Sequence, residues 1–369
     1  MNKKLVALAV AGVLAAPLAA QAQTANVTLY GRVNLDMELV RGERTAAAGG
    51  GNPSTFRVSS NSSRLGVRGT ESLGGGLNAI FQIESNVSAD SGNSGTGLGN
   101  RETFVGLQGA WGTVKMGNFL APYDDIHPIF GNVPTLTTSI LSTASLWAQG
   151  GQAKTAGGFD ARLGNSVRYD SPNFAGFTGG IQYSSFEGGA PSLKANAGIV
   201  SLGGFYNNGP IQVGVAYEQN NQIRGAGLTD KALSVAGGYN FGIVRLGGVW
   251  ERLDYDTATG NLKRDFWGVG LTGNFGPGQL YAFVGLAYDG KGSAATGTRV
   301  GALAKGDDTG STQWEISYTY PLSKRTLLYT GFVQIDNDKN ANYTFNINPY
   351  PVANGAKPSG IVMGAVHFF

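Results

Sequence analysis

From Val27 to Leu39 the chain changes character at every residue. The odd positions are Val27, Leu29, Gly31, Val33, Leu35, Met37 and Leu39; the even ones are Thr28, Tyr30, Arg32, Asn34, Asp36 and Glu38. Period-two alternation places the two sets on opposite faces of one strand. Such a strand needs an apolar medium on one side and a polar one on the other, which a soluble sandwich also supplies. The segment before it narrows the choice. The chain opens Met1-Asn2-Lys3-Lys4, runs apolar from Leu5 to Ala20 and reaches Ala20-Gln21-Ala22. A basic start, a short apolar core and an A-x-A site make a secretory signal peptide. We expect residues 1–22 to be cleaved and 23–369 to form one domain. The apolar run is short for a spanning helix of ~20 residues, and no 18-residue apolar run follows it. In lipid every backbone amide must be paired within the protein, so a membrane chain without helices can only be a closed barrel.

Alternating segments recur at Arg64–Arg68, Ala79–Glu84, Thr103–Leu107, Thr113–Gly117, Asn165–Tyr169, Ile211–Glu218 and Gln313–Tyr320. Short turns such as Glu71–Gly76, Ala110–Gly112 and Pro321–Arg325 take turns with longer loops such as Arg41–Thr55, Ala89–Asn100, Tyr255–Lys263, Asp289–Gly310 and Asn337–Pro358. Eight longer loops and seven short turns make fifteen connections and sixteen strands. The expected fold is all-β, a 16-stranded antiparallel transmembrane β-barrel with short periplasmic turns and long external loops. Both termini then lie on the periplasmic side, where the first and last strands can pair and leave no edge. Trp250, Trp267, Trp314, Tyr318, Tyr320 and Phe369 lie near strand ends, as aromatic girdles do.

Composition agrees. Glycine is 59 of 369 residues, about 16%, against a usual ~7%. Charged residues are 14%, where about 25% is usual. Without cysteine there is no disulfide scaffold, thiolate nucleophile or sulfur-ligated metal. Cleavage would remove two lysines and lower the formal charge from +3 to +1, too balanced for nucleic acid. His127 lies beside Asp124 and Asp125, but no serine or second histidine is spaced to complete a catalytic site. The expectation is no enzyme, no cofactor and no metal centre. Asp307, Asp308, Asp336 and Asp338 offer the oxygen ligands that Ca²⁺ takes at an external rim, against the plainer reading of a solvated loop. Gly74-Gly75-Gly76 reads as a turn, since no helix follows it.

One segment breaks the pattern. Phe119 to Gly164 is the longest stretch without alternation, and a compact domain rarely carries so long a connection unless it is functional. It is expected to fold into the lumen and narrow the pore. Pro122, Pro128 and Pro134 argue against a strand, and Leu136 to Trp147 suits a short helix.

The segments Val27-Thr28-Leu29-Tyr30-Gly31, Ser63 to Gly69, Leu73 to Phe81, Phe104-Val105-Gly106-Leu107, Asn165 to Tyr169 and the terminal Phe369 resemble general porins of β-proteobacteria, in that family's order. Met116-Gly117-Asn118 stands where the family often has Leu-Gly-Arg, and Gly364 to His367 where it often has Gly-Leu-Arg-His. The resemblance implies a homotrimer of sixteen-stranded barrels in the outer membrane of a Gram-negative bacterium, each with an inward-folded third loop. Here the third long loop is the Phe119–Gly164 insert. It also implies contact with outer-membrane lipid and lipopolysaccharide, and delivery to the barrel-assembly machinery through Phe369. On the constriction wall it places an arginine cluster at Arg64, Arg101 and Arg162. Alternation adds Arg68, Lys115 and Arg168, and the insert contributes Asp124, Asp125 and Asp160.

Guanidiniums facing loop carboxylates set up a transverse field across a narrow pore, and charge rings with pore size set selectivity. The expected function is passive diffusion of ions and small hydrophilic solutes with mild anion preference. The alternatives are a substrate-specific channel for organic anions or sugars, and an adhesin-like surface barrel using its loops.

Overall fold

The computed structural model describes residues 26–46, 49–92, 97–131, 139–150, 154–186 and 197–369. The expected signal peptide, Pro134 and residues 136–138 lie outside them. Nineteen strands follow in chain order: β1 Asn26–Arg41, β2 Ser54–Ser60, β3 Arg64–Gly74, β4 Leu77–Asn86, β5 Thr103–Gly109, β6 Gly112–Leu120, β7 Arg162–Asp170, β8 Phe177–Ser185, β9 Gly198–Asn208, β10 Ile211–Asn221, β11 Thr229–Asn240, β12 Val244–Thr257, β13 Gly260–Phe275, β14 Gly278–Ala287, β15 Arg299–Val300, β16 Leu303–Ala304, β17 Ser311–Pro321, β18 Thr326–Asn337 and β19 Ser359–Phe368. All but β15 and β16 form one antiparallel sheet in which successive strands pair, except that β2 and β3 both pair with β1 and not with each other.

The sheet closes because β1 pairs with β19 on one side, from Arg32↔Phe368 to Arg41↔Ser359, and with β2 and β3 on the other. The amide of Phe369 donates to Gly31 O at 3.1 Å, and the amide of Gly31 returns the bond at 3.0 Å. β2 and β3 are two halves of one barrel strand, so seventeen segments make a sixteen-stranded barrel. The break at Asn61–Ser63 has a local cause. Ser62 takes a left-handed conformation (φ 55°), which interrupts the ladder. The Ser63 hydroxyl accepts from the Asn34 amide at 2.9 Å, and Arg32 Nε donates to the freed Ser62 carbonyl at 3.2 Å.

Alternation resolves as expected. On β1 the even positions from Arg32 to Val40 are buried and line the lumen, while Val33, Met37 and Leu39 are exposed on the outer face. The same outer face carries Val215, Val269, Trp267, Ile361 and Met363. Exposed apolar side chains on a closed barrel face lipid.

Two boundaries differ from expectation. The loop expected at Tyr255–Lys263 shrinks to the turn Ala258–Thr259, because β12 and β13 keep pairing to Thr257↔Gly260. Tyr255 and Leu262 still point inward and are fully buried, but the outward positions there are charged or polar, which hides the period from a hydrophobicity reading. The insert spans residues 121–161 rather than 119–164, since Phe119↔Leu163 and Leu120↔Arg162 still pair. Its described part holds short 3₁₀ turns at Asp124–Ile129, Thr143–Ser145 and Lys154–Ala156, and a left-handed turn at Trp147–Gly150 (φ 52° at Ala148, 62° at Gln149), instead of one helix.

Candidate functional site

The described part of the insert lies inside the barrel and is fixed to the wall formed by β9 to β14 and β17. Glu251, fully buried on β12, is the centre of the anchorage. Its Oε1 accepts from the Tyr123 hydroxyl at 2.7 Å and from the Ala148 amide at 2.9 Å, and its Oε2 accepts from Arg264 Nη2 at 2.9 Å. Tyr123 stacks on Trp147 with ring centroids 5.4 Å apart, and Trp147 Nε1 donates to Ser234 Oγ at 3.0 Å. Further along, the Tyr281 hydroxyl donates to Phe130 O at 2.8 Å, Arg245 to Pro128 O and Gly131 O, and Gln313 to Ser142 O. The inserted backbone comes so close that the wall can have no side chain there. A Cβ on Gly247 would lie 2.2 Å from Ile129 O, and one on Gly270 would lie 2.2 Å from Phe130 O.

With the insert on that side, the opposite wall faces the opening, and it is cationic. Arg64 points inward from β3 opposite Arg32 on β1. Arg101, just before β5, is largely buried and donates from Nε to Glu84 Oε1 at 2.7 Å, while Arg64 Nε lies 3.6 Å from Glu84 Oε2. Burial, aided by Arg162 and Arg64, lowers Arg101 to about 10, so it stays charged at neutral pH. Arg162 opens β7 with Nε 3.4 Å from Glu102 Oε1. Toward the periplasmic end Arg68 lies over the Tyr30 ring at 4.9 Å, and Lys115 sits between the Phe104 and Phe119 rings, 3.5 Å from Asp170 Oδ2.

The carboxylates of the insert take separate positions. Asp125 pairs with Arg168 Nη2 at 2.5 Å, and Arg168 Nε also binds Asp170 at 2.7 Å. Burial raises Asp125 to about 6 even with that arginine beside it. Asp160 is buried against Asp124; burial and that neighbour hold its carboxyl well above the usual range. The ligand atoms of Asp124, His127 and Asp160 lie within 4.8 Å of one another, which the rim aspartates Asp307, Asp308, Asp336 and Asp338 do not match among the described residues. Burial pushes His127 down to about 4, so its ring is neutral, and Nε2 lies 2.8 Å from Thr143 Oγ1.

Sequence reasoning missed Arg32, Glu84 and Glu102, although the parity of β1 and β4 points the first two inward. It also missed the loop after β18. The Asn346 amide donates to Ser145 Oγ at 3.1 Å, joining this loop to the insert. Asn348 binds Glu38 and Asn61 on the wall, and Tyr350 binds Pro53 O.

A closed barrel with a lipid-facing apolar exterior, a polar lumen and a loop packed across it is an outer-membrane channel. The family model for Gram-negative porins matches residues 7–340, and the chain belongs to that family. Outer membrane porin protein 32 of Delftia acidovorans is 29% identical over 376 residues, covering the whole of both chains. A major outer membrane protein P.IB of Neisseria gonorrhoeae is 36% identical over 184 residues, 50% of this chain and 48% of that one. Among solved structures, an anion-selective porin from Comamonas acidovorans superposes with TM-score 0.76 at 24% identity, covering 94% of this chain and all of the other. The trimer form of OmpT from Vibrio cholerae gives 0.65 at 15% identity, covering 94% of this chain and all of the other.

Proposed function

We propose that this porin is a general-diffusion channel with mild anion preference. The carrying observation is the arginine group Arg32, Arg64, Arg101 and Arg162, held on one wall with Glu84 and Glu102 as its carboxylate partners. Arg68, Lys115 and Arg168 extend the positive surface toward the periplasm, and Asp170 and Asp125 answer it in part. Asp124 and Asp160 complete the opposing side, and burial drives Asp160 toward its neutral acid. Guanidiniums suit the wall because they do not titrate away. The fold shared with an anion-selective porin supports the sign. Reversal potentials in a KCl gradient test it: chloride preference is expected, and cation preference overturns the reading.

The same reading has residues 1–22 cleaved, residues 121–161 acting as the constriction, and three barrels assembling as a homotrimer, as in the trimer form of OmpT. Phe369 serves barrel assembly, lipopolysaccharide and lipid surround the wall, and small solutes cross without catalysis or cofactor. Calcium at the rim aspartates is a separate proposal, tested by melting with and without chelator.

A further inference from the structure

His127 adds nothing to the charge of the pore, yet it stands where the two ends of the insert meet. Asp124 and His127 are three residues apart in the 3₁₀ turn Asp124–Ile129, where side chains at that spacing eclipse and share a side. Asp160 arrives from the far end, two residues before β7 opens at Arg162. One ligand atom of each of the three lies within 4.8 Å of the others. The approach is held by the neighbouring rings of Tyr123 and Phe159, whose centroids are 6.0 Å apart.

The setting of His127 is that of a metal ligand. The residue is 1% exposed, and its plane is fixed by Trp147 and Phe130, with ring centroids 4.7 and 5.0 Å away. Nε2 lies 2.8 Å from Thr143 Oγ1, so with its proton on Nε2 the ring donates to Thr143 and Nδ1 presents a lone pair. That Nδ1 is buried and has no hydrogen-bond partner among the described residues. A ligating histidine is oriented in this way, by a hydrogen bond donated from its other nitrogen. The carboxylates lack a cation as well. Asp160 hydrogen-bonds Asp124, and two carboxylates in contact need a proton or a cation between them. Among the described residues neither forms an ion pair with lysine or arginine, and Arg162 is held by Glu102 at 3.4 Å instead. Asp160 is buried while Asp124 is only half-buried, which leaves a side open for an arriving ion and a bound water.

We propose that Asp124, His127 and Asp160 bind one divalent transition-metal ion of the zinc class, fastening the beginning of the insert to its end. An imidazole, two carboxylates and a water form a zinc-type donor set, whereas calcium and magnesium favour all-oxygen shells. Zinc bonds of ~2.0–2.2 Å set ligand atoms ~3.3–3.5 Å apart in a tetrahedron, so the three groups close in by at most ~1.5 Å on binding. The inference goes beyond the porin reading and is independent of the sign of its selectivity.

Isothermal titration of the untagged, detergent-solubilised porin with zinc, calcium or magnesium chloride at neutral pH tests it. One zinc per chain is expected, bound on the order of 100-fold tighter than either other ion. His127→Gln and Asp160→Asn should each weaken zinc by at least ~10-fold, and Thr143→Val by ~10-fold through the lost hydrogen bond to the ligand. His367→Gln, at the other histidine of the chain, should change nothing. Folding of each variant is read from its compact, unheated band on a denaturing gel. Equal affinity for the three ions, no zinc uptake, or zinc affinity unaltered in both ligand variants overturns the proposal; a proton shared by the two aspartates gives the second of these. The comparison of ions needs no variant, so misfolding cannot mask it. In planar bilayers zinc should quieten the open-channel current and a chelator should restore its fluctuations; an unchanged current with zinc bound overturns the fastening of the insert. A conducting channel that takes up no zinc leaves the porin reading intact and removes only this site.

Discussion

Arg101 shows how a charge is kept ready in a partly buried wall. Glu84 orients both it and Arg64, so the two guanidiniums share one carboxylate and the wall stays positive. Arg64→Gln with Arg101→Gln is expected to lower the chloride-to-potassium permeability ratio by a factor of about 2–5, since charges ~4–6 Å from a permeating ion act strongly in a low-dielectric constriction. Glu84→Gln should raise the ratio. Both are read from reversal potentials in a KCl gradient. Asp125 adds a pH dependence. With its carboxyl near 6, lowering the pH from 7.5 to 5 removes a negative charge beside Arg168. Anion preference should therefore rise over that interval, and Asp125→Asn should be flat there and resemble wild type at pH 5. A pH response unchanged in Asp125→Asn would assign the titration to another group.

At the scale of the element, the insert is held by a few buried polar groups and by glycines in the wall. Removing Glu251 leaves Arg264 buried without its carboxylate, and breaking such a pair costs roughly 3–5 kcal/mol. Glu251→Ala is expected to lower the melting temperature and give noisy open-channel current as the Tyr123 and Ala148 contacts are lost. Quiet single-channel traces would contradict the anchoring role. Gly270→Val tests the close approach at Phe130, where overpacking costs about 1–3 kcal/mol. The insert should shift into the lumen and lower unit conductance, an effect the single-channel step size measures directly.

For the whole molecule, closure is the decisive event, since an open sixteen-stranded sheet would present unpaired edges. β19 completes the ring, and the paired amides of Phe369 and Gly31 fasten its end. Deleting Phe369 should reduce folded barrel in the outer membrane several-fold, measured as the compact, unheated species on a denaturing gel. Strand order, strand count and the position of the insert were legible in the sequence because a barrel repeats one rule: inward and outward residues alternate, and short and long connections take turns. The rule weakened where the outer face turned polar, at Asp254, Asp256, Asn261 and Lys263, and there a loop was expected in place of a turn.

By itself the sequence determined that the chain spans a membrane as a barrel and that cations point into its lumen, because parity within a strand is a local property. Only the tertiary structure decided which cations meet which acids. Arg64, Arg101 and Glu84 come from three separate stretches, and Asp125 reaches Arg168 across 43 residues. The path of the insert was likewise undecided by its own residues: Gly247, Gly270 and Glu251, more than 80 residues beyond it, fix where it can lie. Long-range packing sets that geometry, and no local period encodes it.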